Sequence, residues 1–212
     1  MALHWCKVIL SASPTLLSSE KLEPGTRKYE LKRRAERQEQ TRARIVEAAI
    51  ALHSEVGPAR TTISAIAARA GVGRPTVYSH FPDEELLLAA CSGLHAERFP
   101  RPDPEGWGAI GDPAERLRVA LSELYGYYRR HRSLLANIAR DHDHPPMRNA
   151  LAERLEELGR MGAVLARGRP RQQAVGAALS LALSFETWRT LDRAGLDDDQ
   201  AVGLMESLVD SS

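Results

Sequence analysis

The sequence predicts an all-α protein: an N-terminal three-helix domain containing a helix-turn-helix, followed by a longer helical C-terminal domain. Three observations carry this. Apolar residues recur at helical offsets along most of the chain from about Tyr29 onward, and no alternating strand pattern of useful length interrupts them. Pro and Gly clusters cut that pattern into helix-sized segments. Charge divides along the chain: residues 1–81 hold 13 Lys/Arg against 7 Asp/Glu, a net of +6, and residues 82–212 hold 16 against 21, a net of −5, although all 212 residues together carry only +1. A basic first part on an acidic second part suggests one region facing nucleic acid and one with another task.

Residues 1–26, rich in Ser and Pro, read as a flexible arm. The segment that follows is polar at first. It then places Ile45, Ala48, Ala49, Leu52 and Val56 on one helical stripe that Gly57 and Pro58 end. A short helix restarts at "TTISAIAARAG", where Thr61 or Thr62 can cap the free first-turn amides. A second short helix, "RPTVYSHF", has Pro75 in its first turn. A third follows with Asp83, Glu84 and Glu85 at its start and with Leu86, Leu87, Ala90 and Leu94 inward.

The Pro/Gly/Asp loop at 100–113 is the strongest break in the chain. Beyond it one helix is expected over 114–140, with Leu117, Ala120, Leu121, Leu124 and Tyr128 buried. Another is expected over 147–167 with Leu151, Leu155, Leu158, Met161 and Leu165 inside, one over 171–194, and a last one starting at Asp197 or Asp198. The domains read as a 1–26 arm, a 27–82 helix-turn-helix domain and an 83–212 helical domain.

Several classes are disfavoured. Cys6 and Cys91 have no CxxC spacing, so neither a zinc finger nor a dithiol motif is supported. No stretch approaches the ~18–20 apolar residues of a membrane span, and "MALHWCKVILSASPTLLSS" lacks the apolar run of a signal peptide. A soluble cytoplasmic protein is expected. No nucleophile elbow, HExxH or P-loop occurs, so no enzyme activity and no cofactor are expected. "DHDH" at 141–144 offers metal-ligating side chains, but four consecutive residues before Pro145-Pro146 suit a helix end better than a site, and no metal is expected.

The stretch "ARAGVGRPTVYSHF" holds the chemistry. Read as a phosphate cradle it lacks a preceding strand and has Thr76 where a third glycine belongs. Read as a helix-turn-helix it has a small residue at the crossing (Ala67), a residue tolerant of left-handed φ four later (Gly71), and an apolar residue facing back six after that (Val77). The run from Ile45 to about Ala90 closely resembles the DNA-binding region of TetR-family transcriptional regulators. It has Gly57, Thr61-Thr62, Ile66-Ala67, Gly71-Val72, Thr76, Val77-Tyr78 and Phe81-Pro82 at the family's spacing.

The resemblance implies a partner, an operator in double-stranded DNA, and a role for each matched residue. Thr62 holds a phosphate; Arg74, Pro75, Thr76 and Ser79 face the major groove; Tyr78 and His80 hold the backbone. Arg74 is the best base reader, because guanidinium matches the guanine edge, with a phosphate grip as the alternative. One departure stands out: after Phe81-Pro82 the family often has a phosphate-gripping lysine, and here the chain reads Asp83-Glu84-Glu85. The basic residues Arg27, Lys28, Lys32, Arg33, Arg34, Arg37, Arg42 and Arg44 offer further contacts to DNA.

The resemblance also implies a small-molecule effector and a homodimer, most often in a repressor. Residues considered for an effector pocket are Tyr125, Tyr128, Asn137, Arg140, Leu155, Met161, Phe185 and Trp188, with Leu134, Leu135, Ile138 and Leu151 as apolar lining; plain core is the alternative for each. "AVGAALSLALSF" and "AVGLMESLV" suit a helical dimer interface.

Overall fold

The computed structural model describes residues 24–170 and 172–212; the expected arm, as far as residue 23, and Cys6 lie outside them. Among the described residues all regular structure is helical. The order is α1 (Pro24–Glu55), a 3-10 turn at Pro58–Arg60, α2 (Ile63–Ala70), α3 (Arg74–His80), α4 (Glu84–Arg98), α5 (Pro104–Gly108), α6 (Pro113–Arg130), α7 (Arg132–Arg140), a 3-10 turn at Pro145–Met147, α8 (Arg148–Leu165), α9 (Gln173–Ala182), α10 (Phe185–Arg193) and α11 (Asp198–Asp210). The described residues up to Glu39 belong to one compact unit and those from Gln40 to Ser212 to another. Within the first, Lys32 pairs with Glu36 at 3.9 Å and Arg33 lies over the Tyr29 ring. No helix of the described residues is long and apolar enough to cross a membrane.

The second unit has two apolar clusters. The first gathers Ile45, Val46, Ala49 and Leu52 of α1, Ile66 and Ala67 of α2, Val77 and Phe81, and Leu87 and Cys91 of α4. The second fills the space between α6, α8, α9, α10 and α11 around Leu121, Leu124, Tyr125, Tyr128, Met161, Leu165 and Trp188. Buried Arg116 joins the α5–α6 loop to the end of α8, donating to the carbonyls of Ile110, Gly111, Val164 and Arg167.

Caps follow local chemistry. The Thr62 hydroxyl accepts from Ala65 N–H at 3.1 Å, Asp83 accepts from Leu86 N–H at 2.8 Å, and Asp197 forms a reciprocal capping box with Gln200.

Where periodicity misleads, a long-range contact explains it. The helix expected over 114–140 breaks at His131, whose backbone leaves the helical region (φ −110, ψ 17) while its ring packs 4.6 Å from that of Tyr127 and edge-on to that of His95. The helix expected over 171–194 breaks at Leu183–Ser184. The carbonyls of Ala182 and Leu183 accept from the hydroxyls of Tyr125 (2.9 Å) and Tyr128 (2.6 Å), and Ser184 starts α10 as its cap. The 100–113 loop contains α5, which buries Trp107 and ties its indole N–H to Glu123 at 2.8 Å. Two leucines placed inside by periodicity are outside: Leu86 is 52% exposed, with Leu88 buried instead, and Leu155 is 69% exposed.

Candidate nucleic-acid interface and an internal cavity

The helix-turn-helix is assembled from local rules. Ala67 and Ala70 are buried where α2 meets α3, and Gly71 adopts left-handed φ 65, ψ 41, its N–H reaching the Ala67 and Ala68 carbonyls. Gly73 has an ordinary φ of −78, so only the first glycine of the pair is conformationally required. Val77 is fully buried and holds α3 down.

That orientation turns Arg74, Pro75, Tyr78 and Ser79 outward, with Thr76 and His80 half-buried beside them and Thr62 exposed at the start of α2. The Ser79 hydroxyl donates to the Thr76 carbonyl at 2.8 Å. Arg69, by contrast, is tied to Glu55 by two bonds of 2.6 and 2.8 Å and so fixes α2 to the end of α1. Of the seven residues with an expected DNA role, six lie on α3 and Thr62 caps α2; five are exposed and two half-buried. Where the resemblance puts a lysine, Asp83 caps α4 and Glu84 meets His144 at 2.9 Å. Thr62→Ala removes the cap and is expected to cost about 1 kcal/mol of stability. Urea unfolding reads this; no change in midpoint would assign the Thr62 hydroxyl no capping role.

A cavity of about 120 Å³ lies between the first apolar cluster and helices α6, α7 and α8. Its apolar wall includes Ile50, Leu88, Leu134, Leu135, Ile138 and Leu151, and its polar groups are His53, Cys91, Ser92, His95, Arg101, Tyr127 and Arg154. Burial holds His53 down to a pKa of about 4 and lowers that of His95, so both are neutral near pH 7. Burial pushes the Cys91 thiol up to about 12, and Cys91 stays a protonated, inert thiol.

The eight residues considered for an effector pocket lie elsewhere. Tyr125, Tyr128, Met161 and Trp188 are fully packed in the second cluster. The two tyrosine hydroxyls are spent on the α9–α10 break, and the Trp188 indole N–H on Asp198 at 3.1 Å. Leu155 and Phe185 flank a separate small-residue groove between α8 and α9, with Gly159, Gly162 and Gly176. Asn137 and Arg140 serve a different purpose. The Asn137 amide donates to the carbonyls of His53 (3.0 Å) and Ser54 (2.8 Å), and Arg140 donates to that of Val56 at 2.7 Å. Asp141 accepts from Ala59 N–H at 3.1 Å. Together they clasp the C-terminal end of α1. Helix α7 thus presents Leu134, Leu135 and Ile138 to the cavity and Asn137 and Arg140 to the clasp. The two histidines of "DHDH" are also engaged, His142 lying 3.1 Å from the Ala139 carbonyl and His144 meeting Glu84, while Asp143 is exposed.

Sequence reasoning passed over Arg154, yet a signal existed: it falls on the apolar stripe Leu151, Leu158, Met161 of α8. His53 and His95 gave none.

Residues 45–91 match the family described as bacterial regulatory proteins, tetR family. The chain is similar to the HTH-type transcriptional repressor KstR of Rhodococcus jostii, 35% identical over 88 residues, which are 41% of this chain and 40% of that protein. It is also similar to the HTH-type transcriptional regulator TtgR of Pseudomonas putida, 42% identical over 66 residues, 31% of each chain. These matches span well under half the length of the curated relatives. Among solved structures, a TetR-like transcriptional regulator from a Rhodococcus species shares the fold, with a TM-score of 0.61 and 22% identity over 80% of this chain and 93% of that one.

Proposed function

We propose that the chain, whose residues 45–91 match the tetR family of bacterial regulatory proteins, is a cytoplasmic DNA-binding transcriptional repressor released from its operator by a small molecule. The carrying observation is the outward face of α3, where Arg74, Pro75, Tyr78 and Ser79 are exposed, with Thr76 half-buried beside them, while Val77 is buried. A short helix so presented enters the major groove with its N-terminal residues at base edges. Arg74 is then the base reader, Tyr78 and His80 hold backbone phosphates, and Thr62 holds one at the start of α2. Two such heads read a pseudo-palindrome, which calls for a homodimer. Leu181 on α9 and Leu204 and Leu208 on α11, all exposed, together with the α8–α9 groove, support a helical interface there.

Selection of operator sequences from random DNA, followed by shift assays at fixed salt, tests the reading. Arg74→Ala is expected to relax discrimination at one base position by roughly tenfold. Unchanged discrimination would reduce Arg74 to a phosphate contact. The Asp83-Glu84-Glu85 run, in place of a basic residue, favours one second reading: a helical small-molecule-binding protein without an operator. Failure to select any sequence would favour it.

A further inference from the structure

The cavity between α1, α4, α6, α7 and α8 carries an imbalance of charge that points to the chemistry of its occupant. Its lining contains two guanidinium groups, Arg101 and Arg154, and no carboxylate. Both reach the same oxygen of one carboxylate behind them: Glu157 Oε2 accepts from Arg154 at 2.7 Å and from Arg101 at 2.8 Å. Arg154 spends one further N–H on the Tyr128 hydroxyl at 3.2 Å. Two cations on one anion leave an excess of one positive charge, and a guanidinium has five N–H donors to satisfy.

The neutral imidazoles of His53 and His95 do not oppose an anion there. Of the acidic groups nearby, Asp83, Glu85 and Glu153 line a separate outer groove that meets the cavity at Leu88, Ser92, Arg101 and Ala150, and Glu84 and Asp141, whose charges reach His53, are paired with His144 and Arg140. The remaining wall is aliphatic, and about 120 Å³ is close to the space that holds one six-membered ring.

We propose that this cavity takes a small monocarboxylate with a ring-sized apolar body, its carboxylate on Arg154 and Arg101 and its body against Leu134, Leu135, Ile138 and Leu151. The proposal rests on the reading of the chain as an effector-regulated protein. It supplies that effector's class: the anion provides the second carboxylate that the two arginines lack, and the ring fills space beside α7.

Calorimetry on the full chain without DNA tests it, with benzoate, its neutral isostere benzamide and the cation benzylamine as probes. Benzoate is expected to bind once per chain, benzamide at least roughly tenfold more weakly, and benzylamine not at all. Arg154→Met is expected to weaken benzoate roughly 10- to 100-fold, the range of a lost charge-assisted contact. Glu157→Gln, which removes the competing carboxylate, is expected to tighten it, an effect a merely structural role would not produce. Should Arg154→Met not fold, Arg101→Met and Glu157→Gln decide.

Equal binding of benzamide, indifference to both arginine variants, weaker binding in Glu157→Gln, or no binding by any probe would overturn the proposal. Operator binding is read separately in the shift assay. A chain that binds benzoate but no operator keeps this site and loses the regulator reading, and the converse loses only the site.

Discussion

Gly57→Ala is expected to destabilise the protein by about 3 kcal/mol and to detach α7 from the end of α1. Two effects act at this position. Gly57 sits at φ 96, ψ 157, a region essentially restricted to glycine, and an alanine held there costs about 1–3 kcal/mol in strain. A Cβ would also overlap the Arg140 guanidinium and the Asp141 carboxylate, the groups that hold Val56 O and Ala59 N–H. Relief requires those side chains to withdraw, so the clasp opens.

Gly71→Ala is the control. Gly71 also has positive φ, at 65, but a Cβ there meets nothing within 4 Å, so it carries conformational strain alone, about 1–2 kcal/mol. Urea unfolding of the two variants separates packing from strain. Equal losses would mean the clasp contributes nothing. Because α7 also lines the cavity, the same substitution is expected to blunt any effect of a bound molecule on DNA affinity, whatever that molecule is. The shift assay with and without benzoate reads this.

The sequence made the helix-turn-helix legible because every rule that builds it is local: a threonine cap, a left-handed glycine, a proline in a first turn, and an apolar residue facing back. The C-terminal helices were legible as helices but not in their breaks. The break at Ser184 depends on hydroxyls of Tyr125 and Tyr128, 57 and 55 residues away from the carbonyls they hold. Those same bonds explain why two tyrosines that look like pocket residues are structural.

Asn137 resembles a polar pocket group in sequence, and only the fold brings its amide to carbonyls of α1, 84 and 83 residues away. After Pro82 the acidic run serves contacts within the chain: Asp83 caps α4 and Glu84 meets His144.

Acid is expected to weaken the fold through His53. The residue is only 5% exposed. Burial is the largest influence on it and lowers its pKa from 6.5 to about 4; His144 acts in the same direction, while Glu84 and Asp141 oppose. The unfolded chain takes up a proton near pH 6.5 and the folded chain only near 4, so between these values the unfolded state binds more protons. Stability then falls as pH falls, and the penalty is complete below about 4. Each pH unit in the window is worth about 1.4 kcal/mol, so lowering pH from 7.5 to 5.0 costs about 2 kcal/mol through His53 alone.

His95 and His131 are shifted in the same direction, chiefly by burial, and add to the slope. The carboxylates held low by arginine partners, Glu55, Asp141 and Asp198, stabilise the fold above their ordinary values of 4.5, 3.8 and 3.8 and lose that contribution as pH falls below them, under pH 5.0. Urea unfolding at pH 7.5, 6.0 and 5.0 therefore isolates the imidazoles, and His53→Gln is expected to remove the His53 share of the slope. A slope unaltered by His53→Gln would mean that His53 accepts its proton in the folded chain as readily as in water, by opening the contact between α1 and α7. In that case the Asn137 bonds to the His53 and Ser54 carbonyls would not survive mild acid either.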